Sequence, residues 1–220
     1  MSLDAIEIET GPGPTACLIV LHGLGADGSD FVPVVQALDL DDLGPVRYVL
    51  PHAPARPVTV NGGYVMPAWY DILGPGTPQR EDETGLRESR LMIDALIEAE
   101  KARGIPASRI VLAGFSQGCA MTLMTGLRHR ERLAGLAGLS GYLPLAGTTP
   151  AEAAAANRDV PVFLAHGRDD TVVAIERGIA SRDALLRWGY PVEWHEYEME
   201  HSVCPEEVAD LNRWLLRVLA

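Results

Sequence analysis

Residues 109–120 read RIVLAGFSQGCA. Residues 109–115 (RIVLAGF), apolar after Arg109, read as a strand. It runs into Gly114, Ser116 and Gly118, a GxSxG, after which a helix is predicted over 117–129. A serine on so tight a strand-to-helix turn holds its hydroxyl out at the end of the sheet. Side chains at the two flanking positions would strike neighbouring backbone, which accounts for the glycines. The first N–H groups of the helix point back toward the serine, where they favour developing negative charge. GxSxG is common by chance. Its slot between strand and helix makes Ser116 the candidate nucleophile, against the bland alternative of an idle serine in a Gly-containing turn.

Outward from this stretch, strand and helix patterns alternate. Strands are predicted at 16–21 (ACLIVL), 46–50, 133–140, 160–165 and 192–198, with a short edge strand around Ile6 and Ile8. Helices are predicted at 30–40, 84–103 and 174–188, and from Pro205 to the end. Leu86, Ile93, Leu96 and Ile97 share one face of the 84–103 helix, which Gly104 and Pro106 stop. The last helix has Glu206 and Glu207 at its positive end and a buried stripe of Val208, Leu211, Leu215 and Val218. Residues 51–80 and 144–159 read as irregular, the first held in order by Tyr64, Trp69 and Tyr70. The alternation predicts an α/β fold with a mostly parallel central sheet and helices on both faces. No composition break marks a linker, so residues 1–220 read as a single domain. In such sheets the active crevice lies beyond the carboxyl ends of the strands.

Composition narrows the partners. The 220 residues carry a formal net charge of -12, and Lys101 is the only lysine. Nucleic acid is therefore not an expected partner, and no Lys-rich membrane patch exists. No apolar run approaches the ~20 residues that span a bilayer, and the acidic N-terminus does not resemble a signal peptide. A cytoplasmic protein without stable membrane insertion is expected. Cys17, Cys119 and Cys204 have no zinc or CxxC spacing and read as free thiols.

A serine hydroxyl needs a base. Beyond the helix that follows Ser116 lie His166, His195 and His201. His195 falls inside the last strand pattern. His201 lies in EMEHSVCPEE, between the last strand and last helix, and is the best placed base by order and by loop. The acid that orients it follows the 160–165 strand as Asp169 or Asp170, and spacing does not choose between them. One oxyanion donor is expected from the Gln117 N–H and the other from HGLG at 22–25. GLGADG (23–28) has GxGxxG spacing, but the acidic chain and the competing nucleophile motif argue against a dinucleotide site. Cys119 lies inside the helix and reads as packing. No metal-ligand spacing is present.

LHGLGADGSDF (21–31), PHAP, PVTVNGG and MPAWYDI within 51–72, REDETG (80–85), GIPASRIVLAGFSQG (104–118), LSGYLP (139–144), HGRDDTVV (166–173) and HSVCPEE (201–207) span nearly the whole chain. Together they closely resemble the phospholipase/carboxylesterase family, which includes acyl-protein thioesterases and small bacterial carboxylesterases. The resemblance implies an α/β-hydrolase fold and no cofactor. It places the nucleophile on Ser116, the acid on Asp170 through the pattern HGxxD, and the base on His201. The oxyanion donors fall on the N–H groups of Leu24 and Gln117, and acyl-groove contacts on Trp69 and Leu73. Two positions depart from the family: Cys119 stands where Gly is usual, and Ala26 intervenes before Asp27. The implied activity is a serine carboxylesterase acting on a small-molecule ester or thioester. Acyl-protein thioesterase or lysophospholipase is the alternative, and a non-catalytic binding protein on the same scaffold the rival from another class. A homodimer is compatible with the resemblance.

Overall fold

The computed structural model describes residues 3–74 and 81–220. The end of the long excursion, at 75–80, therefore lies outside the described residues. In chain order the strands are Ala5–Glu9 (β1), Ala16–Leu21 (β2), Val46–Pro51 (β3), Ala55–Val58 (β4), Tyr64–Pro67 (β5), Ile110–Phe115 (β6), Gly135–Leu139 (β7), Val162–Gly167 (β8) and Val192–Tyr197 (β9). The helices are Val32–Gln36 (α1), Glu83–Ala102 (α2), Gln117–Gly126 (α3), Thr149–Glu152 (α4), Ile175–Arg187 (α5) and Pro205–Val218 (α6). Seven strands form one sheet in the order β1-β3-β2-β6-β7-β8-β9. Only β1 is antiparallel to its neighbour; the other pairs are parallel.

The burial of both faces explains the unbroken apolar runs. In β2, Cys17, Ile19 and Leu21 face the core under α2 and α3, while Ala16, Leu18 and Val20 face the opposite core. That second core takes Val35 from α1 and Leu211, Trp214 and Leu215 from α6. So α2, α3 and α5 cover one face, and α1 and α6 cover the other. Among the described residues no helix is long and apolar enough to cross a membrane.

Three local expectations change. The helix expected over 30–40 is a 3-10 turn, Gly28–Phe31, followed by the five-residue α1. Three β-branched valines among those five residues disfavour a longer helix. The excursion after β3 contains a two-stranded hairpin of β4 and β5, in register Val58↔Tyr64 to Ala55↔Pro67. The helix expected over 117–129 ends at Gly126; Arg128 and His129 then close tighter turns onto the carbonyls of Thr125 and Gly126.

Charges tie the rims of the sheet. The buried Arg47 guanidinium bonds Glu100 of α2 at 2.8 Å and pairs with Glu7 and Glu9 of β1 at 2.7 and 2.8 Å. At the other rim, Glu193 of β9 pairs with Arg217, and Glu196 with Arg168 at 3.2 Å.

Glu207 corrects the reading of the last helix. Glu206 is exposed, but Glu207 is fully buried, and neither of its carboxyl oxygens has a hydrogen-bond partner. Burial pushes its carboxyl up to about 8. Glu207 therefore enters the fold as a neutral acid and not as a charge on the helix end. The folded chain keeps a proton that the unfolded chain releases above the ordinary glutamate range. On this group's account stability is complete at low pH and falls as pH rises toward 8. Glu207→Gln should therefore gain stability relative to the wild type between pH 5 and pH 8 in paired urea titrations. Parallel pH dependence of the two proteins would contradict a buried neutral Glu207.

Candidate active site

Ser116 sits between β6 and α3 with φ 57° and ψ −116°, a conformation that non-glycine residues rarely adopt and that costs on the order of 1–3 kcal/mol. The surroundings enforce it. The Ser116 N–H donates to the Leu139 carbonyl at 2.9 Å, and its carbonyl accepts the Ala120 N–H at 3.2 Å. A Cβ on Gly118 would overlap the Leu21 carbonyl, and one on Gly114 would overlap the Gly118 backbone. The glycines thus let α3 start directly against β2.

The imidazole comes from the loop after β9. Backbone bonds zip this loop to the one after β8: Arg168 N–H to Tyr197 O at 2.8 Å, and Asp169 N–H to Met199 O at 3.1 Å. The zip brings His201 over Ser116. The Ser116 hydroxyl donates to His201 Nε2 at 2.9 Å, and His201 Nδ1–H donates to Asp170 Oδ2 at 2.7 Å. The Phe115 ring packs on the imidazole with centroids 4.6 Å apart.

The two aspartates differ sharply in their surroundings. Asp169 is exposed and Asp170 is buried. Asp170 Oδ1 accepts the N–H groups of Val172 and Val173 at 2.9 and 2.8 Å, leaving Oδ2 for His201. Burial alone would raise the Asp170 carboxyl, but the His201 bond and these two N–H donors hold it below the usual range. His166 Nε2–H donates to Val173 O at 2.7 Å and lies 3.3 Å from Asp170 Oδ2, so it braces the acid's loop. His195 stays on β9 beside Glu193 and Asp210, away from this group.

The loop at 22–25 lies against the serine: a Cβ on Gly23 would sit 3.4 Å from Ser116 Cβ. The buried His22 pins it, donating from Nδ1 to Gly23 O at 2.7 Å and accepting the Ala53 N–H on Nε2 at 3.0 Å. Burial lowers the His22 pKa, which keeps this neutral tautomer in place. Among the described residues, the backbone N–H groups of Leu24 and Gln117 find no protein acceptor.

Trp69 requires a correction. It is completely buried and offers no wall to a groove. Its indole N–H donates to His22 O and its backbone N–H to Gln117 Oε1, both at 2.9 Å; Gln117 Nε2 in turn donates to Tyr70 O at 2.8 Å. Trp69 is a bolt joining the two segments that carry the free N–H groups. Leu73 is 38% exposed and lines a cavity of about 300 Å³ with Tyr142 and Arg177. That cavity meets a larger one, of about 500 Å³, at Val172. The larger cavity holds Ser116, His201, Leu24 and Phe115.

Cys119 is buried, and its thiol is pushed up to about 12, which makes it inert as a nucleophile. Its volume is absorbed by two glycines: a Cβ on Gly138 or Gly141 would lie 2.6 Å from its Sγ. Among the described residues no group of three His, Cys, Asp or Glu side chains could hold a metal ion. Val172 carries no signal of its own in the sequence, whereas His22 stands there as the first residue of HGLG. The signal for His22 was its place directly after the most apolar strand.

The family model described as Phospholipase/Carboxylesterase matches residues 4–219. The chain is similar to acyl-protein thioesterase 1 of Yarrowia lipolytica, 39% identical over 216 residues that cover 96% of this chain and 95% of that protein. It is 41% identical over 229 residues to acyl-protein thioesterase 1 of Mycosarcoma maydis, with 97% and 95% covered. Among solved structures, Arabidopsis thaliana SOBER1 superposes with a TM-score of 0.88 at 30% identity, over 93% of this chain and 99% of that one. Zea mays acyl-protein thioesterase 2 gives 0.86 at 28% identity, over 99% and 100%.

The tight contact at Gly118 sets an expectation. Gly118→Ala should lower the unfolding free energy by about 2 kcal/mol or more, because α3 must move off β2. A urea titration checks this, and a loss under about 0.5 kcal/mol would mean the turn has slack.

Proposed function

The chain belongs to the phospholipase/carboxylesterase family of α/β-hydrolases, and from that premise we propose that it is a serine hydrolase cleaving carboxylic esters and thioesters through an acyl-enzyme. The observation that carries this reading is the unbroken hydrogen-bond chain from Ser116 through His201 to Asp170. His201 removes the hydroxyl proton as Oγ attacks the carbonyl carbon. Asp170 fixes the tautomer that leaves Nε2 free and stabilises the imidazolium. The carbonyl oxygen, now negative, is taken by the Leu24 and Gln117 N–H groups, each worth about 3 kcal/mol of barrier. The imidazolium then protonates the departing alcohol or thiol. Water repeats the sequence on the acyl-enzyme, releasing the acid and restoring Ser116.

One domain carries all of these parts, and a reducing cytoplasm suits its three unpaired thiols. The acyl portion is assigned to the side of Leu73, past Val172. A thioester preference is the second reading, favoured by the likeness to fungal acyl-protein thioesterases. Both substrates use the same machinery, so competition between an acyl thioester and an aryl ester of equal acyl length separates them.

Ser116→Ala should cut p-nitrophenyl butyrate turnover by about 10⁴-fold while the circular dichroism spectrum is preserved. A fluorophosphonate should modify Ser116 in the wild type and nothing in the variant. Hydrolysis persisting near wild-type rate would remove Ser116 from the mechanism. In the wild type, kcat/KM should decline on acidification, since a protonated imidazole cannot accept the serine proton.

A further inference from the structure

The cavity at Ser116 continues past the nucleophile. Its wall runs from His201 through Ser202 to Val203, and at Val34 and Val203 it joins a second cavity of about 620 Å³ between α1 and α6. Pro33 and Ala37 form one side of this trough, and Val208 and Ala209 the other. Both helices pack on the same face of the sheet, and the Asp39 N–H bonds Asn212 Oδ1 across them at 2.8 Å. The trough therefore has a set width, mostly apolar walls and an open end at the reacting serine.

The position of the proton donor fixes what enters it. In a tetrahedral adduct on Ser116 the negative oxygen turns to Leu24 and Gln117. The departing atom must lie within hydrogen-bond reach of His201 Nε2, because that group protonates it. The residues directly after His201 lead into the trough, whereas the Leu73 cavity opens on the far side of Val172. We infer that the trough between α1 and α6 is the leaving-group subsite and takes an alcohol or thiol with an extended apolar body. The inference rests on the serine-hydrolase reading above. Its chemistry adds no step: the bond from the carbonyl carbon to the departing oxygen or sulfur breaks, and that atom takes the His201 proton as its chain slides from the trough.

The test is a series of n-alkyl butyrates from methyl to octyl. The constant kcat/KM reports every step through acylation and so includes departure of the alcohol. For the wild type it should rise about threefold per methylene until the trough is filled. Ala209→Trp fills the trough from α6, and Ala37→Trp from the α1 side should the first variant fold poorly; both positions are exposed. Either should reduce the octyl-to-methyl ratio at least tenfold. The dependence on acyl length, read with ethyl esters from acetate to octanoate, should follow the wild-type curve. A ratio unmoved by both tryptophans overturns the inference, as does collapse of the acyl-length profile, which would make the trough the acyl site. A wild-type protein without ester hydrolysis and without fluorophosphonate labelling overturns the serine-hydrolase reading itself, and the inference with it.

Discussion

Among the described glycines, Gly118 leaves the least room for a Cβ, against the Leu21 carbonyl, and this contact governs the rest of the site. A helix can begin against a strand at this separation only where no side chain intervenes. The chain must therefore reverse within one residue, and Ser116 takes the resulting uncommon backbone conformation. The same closeness presents the Gln117 N–H toward the segment leaving β2, which is where Leu24 lies. The Ser116 hydroxyl and the unpaired Gln117 and Leu24 N–H groups, which the proposed mechanism uses together, are thus set by one packing contact and not by three separate devices.

The remaining groups depend on strand ends. Parallel strands finish on the same side, so the loops after β2, β6, β8 and β9 converge. Backbone bonds between the loops after β8 and β9 hold Asp170 and His201 to a common frame. Trp69 does the corresponding work on the other flank, linking the His22 carbonyl to the Gln117 side chain. The side-chain polar atoms of Trp69, Gln117, Asp170 and His201 are all paired within the protein, which keeps this frame rigid around the unpaired Leu24 and Gln117 N–H groups.

The sequence was most legible where burial leaves a strong pattern. ACLIVL and the run into GFSQG are apolar at every position because both faces of those strands are covered. The hairpin of β4 and β5 was missed: ARPV and YVMP have prolines and no alternation, and its pairing draws on tertiary surroundings. Asp169 and Asp170 were indistinguishable as letters; two backbone N–H groups on one carboxylate separate them. Trp69 and Glu207 were both misread. A carboxylate at a helix start ordinarily faces water, and a loop tryptophan that signals order does not by its letter tell a groove wall from an enclosed bolt.

The rims of the sheet have a consequence for how copies of this protein meet at high concentration. A bare edge strand invites another chain to continue the ladder. Here β1 carries carboxylates at alternate positions, tethered to Arg47, and β9 is studded with glutamates held by arginines from elsewhere in the chain. An incoming strand would have to strip water from these charges and displace their partners before forming its first bond. Growth of the sheet from one molecule into the next is thereby opposed at both ends, and a crowded solution of the folded protein should resist fibrillar stacking.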